Sequence, residues 1–276
     1  MQFYIIQPGD LLSEYVRYFW VLEGNTTGNE FHDGRYTHRT MACGCPELFF
    51  HYKGDFAEML EGDIMASSFK TGIQGQSQNF RRFSTTEDFG LFGAFLYPFA
   101  VPLLLGIPAE EVNNQMVGLQ TLLGEPGDML TEMMMLANSN TERASILSGF
   151  LVKRLIKSSS PRRTNNHRII PAIRQVIATN GQLSIQSMSD QYFLSNRQFE
   201  RAFKQYAGFS PKLFSRLLRF ENVLNEYGNK NKSLTDIAYS CGYYDQSHFI
   251  HEFKEFSGHH PRNYFSGKAE GTEWKE

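Results

Sequence analysis

Cysteine is scarce in this chain. Cys43, Cys45 and Cys241 are its only three. An odd, sparse set offers no disulfide framework and suits a reducing compartment, so a cytoplasmic location is expected. Long apolar runs are lacking too. The one extended stretch without a charge, 89–108, contains Pro98, Pro102 and Pro108 together with Gly93 and Gly106. A membrane-spanning helix needs about 20 largely apolar residues, and prolines at these positions would break it. The stretch reads instead as a strand over 90–97, a turn, and a short helix to Leu105. The N-terminus, MQFYIIQPGDLLSEY, places no basic segment ahead of an apolar run. It therefore does not read as a signal peptide, and no membrane partner is expected.

Apolar residues make up 41 % and charged residues 20 % of 276, enough for a packed core and unlike a disordered chain. Aromatics reach 14 %, with 24 Phe and 13 Tyr. The formal net charge of −2 hides an uneven distribution. Residues 1–160 carry a balance of −7 and residues 161–276 a balance of +5. The second half is therefore suited to an acidic partner.

The halves also differ in pattern. Residues 15–22 (YVRYFWVL) and 47–52 (ELFFHY) are aromatic and β-branched runs of strand length, bounded by Gly24-Asn25 and Gly54-Asp55. After Pro98 the period becomes helical. A helix is expected over 126–136, with Met129, Leu130, Met133 and Met134 clustered. Ser139 and Glu142 form a capping-box pattern. The helix they open, 141–157, carries Ile146, Leu147, Phe150, Leu151 and Leu155 on one face, a surface for its own domain or for a second copy of the chain. The run Ser158-Ser159-Ser160-Pro161-Arg162-Arg163 reads as a linker. The expected division is a β-rich domain with C-terminal helices (1–157), a linker (158–166), an all-helical domain (167–265) and a flexible tail (266–276). The fold class is α+β, sheet or barrel followed by helices, plus an all-α domain.

The helical half repeats itself. Phe199 recurs as Phe249, Phe203-Lys204 as Phe253-Lys254, Gly208 as Gly258 and Pro211 as Pro261, all at an offset of 50. Ser184, Ile185 and Met188 recur as Ser233, Leu234 and Ile237 at an offset of 49. One residue is therefore inserted in the second copy, between its two helices, where a turn belongs. Each copy has the anatomy of a helix-turn-helix. Ser184 or Ser233 caps a short helix. A turn follows at 193–194 or 241–243, and Ser195 or Asp245 caps a longer helix that a glycine ends. Between the copies, Ser210-Pro211 opens a linking helix whose Leu213, Leu217, Phe220, Leu224 and Tyr227 keep 3–4 spacing until Gly228.

Each longer helix buries a phenylalanine stripe and leaves the opposite face free. That face carries Asn196, Arg197, Glu200 and Arg201 in the first copy, and Gln246, Ser247, Ile250 and His251 in the second. Arg can pair bidentately with guanine, Gln suits adenine, Glu accepts from cytosine, and Ile packs on a thymine methyl. Ser195, Lys204, Lys254 and Arg262 are candidates for phosphate contacts. Residues 167–265 resemble the DNA-binding domain of the AraC/XylS family of bacterial regulators, most specifically over SLTDIAYSCGYYDQSHFIHEFKEFSGHHPRNY (233–264). The resemblance implies two helix-turn-helix units entering successive major-groove segments of double-stranded DNA. It places base reading on Arg197, Glu200, Arg201, Gln246, Ser247, Ile250 and His251. Two departures stand out. His251 replaces a frequent Arg, and histidine is mostly neutral near pH 7. The first turn, Tyr192-Phe193-Leu194, lacks the usual glycine.

Residues 1–157, best in Cys45-Pro46-Glu47-Leu48-Phe49-Phe50, resemble the β-rich segments attached to regulators of this family, which sense a small molecule, dimerise, or both. Tyr18, Trp20, Phe49 and His51 are the candidate pocket residues. Cys43-x-Cys45 with His32, His38 and His51 lacks the paired spacing of a structural zinc site, so no metal or cofactor is expected. No cupin-type histidine pattern, phosphate-binding glycine loop or nucleophile elbow occurs, which argues against an enzyme. The expected function is an effector-responsive transcription regulator, an activator in its family's usual mode, with RNA polymerase and a second copy as further partners. The alternative is a metal-dependent or enzymatic first domain addressed to DNA by the second.

Overall fold

The structure, a computed structural model, describes residues 1–158, 168–184, 188–229 and 231–267, with Asp63 described by its backbone alone. The expected linker falls almost wholly outside the described residues, as does most of the tail.

The first half is built on two antiparallel sheets. The larger contains β1 (Gln2–Ile6), β2 (Val16–Gly24), β4 (Glu47–Lys53), β7 (Thr71–Gln74), β9 (Phe89–Leu96) and β10 (Met116–Gly118), in the order β1-β2-β9-β4-β7-β10. The smaller orders β3 (Tyr36–Thr40), β8 (Arg81–Thr85), β5 (Ala57–Met59) and β6 (Met65–Ser67) as β3-β8-β5-β6. Successive side chains of a strand face opposite ways, and both faces of the large sheet are covered. Phe19 and Val21 of β2, Leu48 and Phe50 of β4, and Phe92, Ala94 and Leu96 of β9 enter one core. Trp20 and Leu22, Phe49, and Phe89 and Leu91 enter another, between the sheets, with Tyr36, Phe56 and Phe83. This is why these strands read as unbroken apolar runs.

Helices cover the first of those faces: α1 (Leu119–Leu123), α2 (Glu125–Leu136) and α3 (Asn140–Ser158). The short helix expected before Leu105 is a wide π-type turn at Val101–Leu105, closed by Gly106 at φ 83°. The Ser139–Glu142 pattern works in modified form. Ser139 Oγ accepts from Glu142 N–H at 3.2 Å, but the Glu142 carboxylate reaches back to Asn138 N–H at 2.8 Å rather than to Ser139. Leu147 and Leu151 of α3 are fully buried in the protein's own core, with Ile146, Phe150 and Leu155 packed beside them. The apolar face of α3 is thus largely used within its own half. Met129 and Met133 of α2 stay exposed.

The second half holds α4 (Ile170–Ala178), α5 (Met188–Gln191), α6 (Asn196–Ala207), α7 (Pro211–Leu224), α8 (Leu234–Ser240), α9 (Gln246–Ser257) and α10 (Pro261–Phe265). Ser210 caps α7 and Pro211 takes its first position, where a missing N–H costs nothing. The linking helix ends one turn earlier than its spacing suggests. Asn225 is its C-cap and Tyr227 lies beyond it, stacked edge-on against Tyr264. Phe199, Phe203, Phe214, Phe220, Phe249, Phe253 and Phe256 converge in one core, where each buried phenylalanine contributes about 2–3 kcal/mol. Ala42 and Phe99 of the first half enter the same core, so the two halves are packed together.

Candidate DNA-reading faces and the interdomain seam

The two repeat copies share the hydrogen bonds of their turns and differ in the caps of their longer helices. Ser195 accepts from Gln198 N–H and Gln198 Oε1 accepts from Ser195 N–H, a complete capping box at the start of α6. Asp245 does the first half of this for α9, accepting from His248 N–H at 2.8 Å. In the first turn Phe193 N–H bonds Asp190 O and Leu194 N–H bonds Ser189 O. In the second, Gly242 N–H bonds Tyr239 O and Tyr243 N–H bonds Ala238 O. Phe193 is therefore the counterpart of Gly242. Both lie in the left-handed region, at φ 56° and 83°. The inserted residue is Tyr244. Phe193 is 95 % exposed and Tyr244 87 % exposed.

Asn196, Arg197, Glu200 and Arg201 are all exposed along one side of α6, as are Gln246, Ser247 and His251 on α9. Asn196 Oδ1 also accepts from the Ser189 hydroxyl at 2.5 Å. Ile250 is half-buried against the helical core, which limits its reach. Among the phosphate candidates, Lys254 and Arg262 are exposed. Ser195 has its N–H committed to Gln198, and Lys204 pairs with Glu110 of the first half at 3.3 Å. The start of the first short helix, expected at Ser184, runs into 185–187, outside the described residues.

Two features escape sequence reasoning. The first is Glu252 on α9, 1 % exposed and held by Arg216 Nε of α7 at 2.5 Å, with His248 Nε2 at 3.3 Å. The second is the seam between the halves. Helix C-termini leave carbonyls without intrahelical donors, and the β-rich half supplies donors to both long helices at equivalent places. Gln76 Nε2 donates to Ala207 O at 3.4 Å, and Arg39 Nη1 donates to Ser257 O at 3.3 Å. Asn113 donates to Gly208 O, and Ala42 N–H donates to Phe256 O. Glycine at both termini takes a positive φ, 84° and 73°, and leaves room for the side-chain tips from the first half. A Cβ on Gly208 would meet Asn113 Oδ1 at 2.5 Å, and one on Gly258 would meet Arg39 Nη1 at 2.7 Å.

The seam continues onto α7. Glu221 accepts from Gly44 N–H at 2.8 Å and from Cys43 Sγ at 3.4 Å, and pairs with Arg17 Nη1 at 3.3 Å. Arg17 Nη1 also donates to Cys45 Sγ at 3.3 Å. The Cys43 contact and the Arg17 charge hold the Cys45 thiol below its usual range, while Cys45 and burial push Cys43 up.

Beside this seam lies a cavity of about 260 Å³, bordered by Tyr18, Trp20, Glu47 and Phe95 of the large sheet, Thr40 and Ala42, and Leu224 of α7. A void of about 30 Å³ adjoins it deeper between the sheets, with Trp20 and Glu47 common to both. The four pocket candidates are divided between them: Tyr18 and Trp20 border the larger space, and Phe49 and His51 only the smaller, which has room for one water. Burial pushes His38 and His51 down to about 4 and Glu47 up to about 7. Among the described residues no three His, Cys, Asp or Glu side chains converge as a metal site. No described helix is long and apolar enough to cross a membrane.

Comparison with known proteins finds separate matches in the two halves. Residues 188–267 match the family model described as "Helix-turn-helix domain", and residues 4–118 match "Domain of unknown function (DUF6597)". The HTH-type transcriptional activator RhaS of Escherichia fergusonii is 31 % identical over 86 residues, 31 % of each chain. RhaS of Escherichia coli (strain K12 / DH10B) is 33 % identical over 82 residues, 30 % of each. The match thus spans less than a third of these relatives. Among solved structures, ToxT from Vibrio cholerae aligns over 90 % of this chain and 97 % of its own, at 13 % identity and a TM-score of 0.46.

Proposed function

We propose, from the premise that residues 188–267 belong to the AraC-type helix-turn-helix family, that this chain is a sequence-specific DNA-binding transcription regulator. The observation that carries the reading is the pair of capped long helices, α6 and α9, each with its phenylalanines buried and its polar face exposed. On this reading Asn196, Arg197, Glu200 and Arg201 read bases in one groove segment, and Gln246, Ser247, His251 and the edge of Ile250 read the next. Lys254 and Arg262 contact phosphates, Lys204 is able to do so once released from Glu110, and Ser195 contributes through the helix start it caps. Residues 1–157 form the sensing half and 167–265 the DNA-binding half.

The sensing role is supported by the cavity beside the seam. A small molecule seated there would touch both the large sheet and α7. It would bias how the first half holds the ends of α6 and α9, and so shift promoter occupancy. Contacts with RNA polymerase and with a second copy of the chain belong to the same reading. Selection of bound duplexes from random DNA tests its core. Two half-sites about one helical turn apart are expected. Recovery of no enriched sequence, with affinity insensitive to salt, would overturn it.

A further inference from the structure

The cavity beside the seam is bordered by a carboxyl group that has no ion-pair partner among the described residues. Glu47 borders both the 260 Å³ space and the void below it. It has no ion pair among the described residues, and the Trp20 indole opposes the effect of burial only partly. Trp20 Nε1 itself lacks a well-formed hydrogen bond, as does Thr40 Oγ1 nearby. The other titratable groups facing this space are accounted for. Arg17 is matched by Glu221 and Cys45. Arg39 lies over the Phe80 ring and donates to Ser257 O. Cys43 donates to Glu221. His38 is neutral through burial, with Tyr36 Oη at 3.4 Å from its Nδ1. His51, deeper in, is likewise neutral, and Tyr18 stays protonated because burial raises it.

Around Glu47 the walls are aromatic. Trp20 packs on Gly93, where a Cβ would meet the indole at 2.3 Å. Tyr18 and Phe95 stand with ring centroids 5.3 Å apart. A desolvated carboxyl is costly unless paired, and ring faces attract cations, more so away from water. A carboxylate ligand would meet repulsion from Glu47, and a neutral one would leave its charge unanswered.

We propose that this cavity binds a small organic monocation, an aromatic or alkyl amine or quaternary ammonium, with Glu47 as its counter-charge and Trp20, Tyr18 and Phe95 as its walls. This rests on the sensing role proposed above and names the chemical class of the effector. Such a ligand favours ionised Glu47, so binding strengthens as pH rises through about 7 and levels off above it. A bound cation also reaches Leu224 and Ala42, which ties occupancy to the seam.

The chain has two tryptophans, Trp20 and Trp274, so full-length Trp274→Phe protein reports on the cavity through Trp20 alone. Benzyltrimethylammonium serves as the cation, with benzyl alcohol and benzoate as neutral and anionic controls. Saturable change in Trp20 fluorescence by the cation alone is expected, tightening on the order of tenfold from about pH 6 to about pH 8. Glu47→Gln should weaken it at least about tenfold. The pH series on otherwise unaltered protein stands if that variant folds poorly. Equal binding of benzyl alcohol, pH-independent affinity, or no saturation by the cation would overturn the proposal. Gel-shift affinity for selected DNA is read separately. Retained DNA binding without cation binding sinks this inference and leaves the regulator reading intact, whereas the reverse outcome does the opposite.

Discussion

In the first helix-turn-helix unit the turn passes through the left-handed region on Phe193; in the second it does so on Gly242. The first opens α6 with a reciprocal capping box, the second opens α9 with Asp245 alone. The second has a buried anchor, Glu252 with Arg216, at the position where the repeat offset puts Ala202 in the first. Two arginines stand on the exposed face of α6; on α9 the corresponding face has Gln246, Ser247 and His251. The unit with two exposed arginines thus has the more strained turn. The unit with the more regular turn is fixed to the linking helix by a buried ion pair. The two copies share a backbone plan and differ in turn, cap and anchorage.

The largest expected effect breaks the anchor. Arg216→Ala leaves Glu252 buried without its guanidinium partner, beside His248 and Tyr243, and uncompensated buried charges cost about 3–5 kcal/mol. The half-exposed Arg216 points to the lower end of that range. Urea denaturation measures the loss. Hydrogen exchange should show it concentrated in α8 and α9, with α6 little changed. Equal loss of protection in both units would erase the claimed difference in anchorage.

Base reading gives the next effect. Arg197→Ala or Arg201→Ala should cost about 1–3 kcal/mol on a cognate duplex and relax preference at one position. His251→Ala should cost less than about 1 kcal/mol, since an imidazole makes a weaker contact than a bidentate guanidinium. Titration by gel shift compares the three. A His251 effect matching the arginines would make the units equal readers.

How far this asymmetry could be read beforehand depends on separation along the chain. The repeat, its caps and the missing glycine at Phe193 are local patterns, and the inserted residue follows from offsets of 50 and 49. The strands were recognisable because both faces of the large sheet are buried. That same property removed the alternation which would have shown Trp20, Glu47 and Phe49 facing one space. The end of the linking helix was misread because Tyr227 keeps helical spacing while packing on Tyr264 from outside the helix. The seam was invisible: Gln76 and Ala207 are 131 residues apart, and Cys43 and Glu221 are 178 apart. Glu252 adjoins Phe253 in sequence, and its main partner, Arg216, lies 36 residues away on another helix.

A smaller effect distinguishes the turns. A non-glycine residue in the left-handed region costs about 1–2 kcal/mol. Phe193→Gly should therefore stabilise the protein by up to about 1 kcal/mol after the added chain entropy of glycine. Phe193 is 95 % exposed, so little packing is lost. Gly242→Ala should destabilise by about 1 kcal/mol, with its new Cβ also 3.2 Å from Gln182 Cγ. Thermal melts of both variants decide this. Destabilisation by Phe193→Gly would mean that Phe193 is held by something other than the turn.

The smallest effect concerns the lysines at equivalent positions on α6 and α9. Lys204 is paired with Glu110, whereas Lys254 has no ion pair among the described residues. Both members of the Lys204–Glu110 pair are substantially exposed, so Glu110→Gln should change stability by less than about 1 kcal/mol. Its consequence lies in DNA binding. A lysine released from a carboxylate can neutralise a phosphate, which steepens the salt dependence of affinity by about one unit for every sequence alike. Lys254→Ala should flatten the slope by about one unit in the unaltered protein. Lys204→Ala should do so only in the Glu110→Gln background. Unchanged slopes in that background would remove Lys204 from the phosphate contacts. The β-rich half would then hold α6 through the Ala207 and Gly208 carbonyls, without restraining its charge.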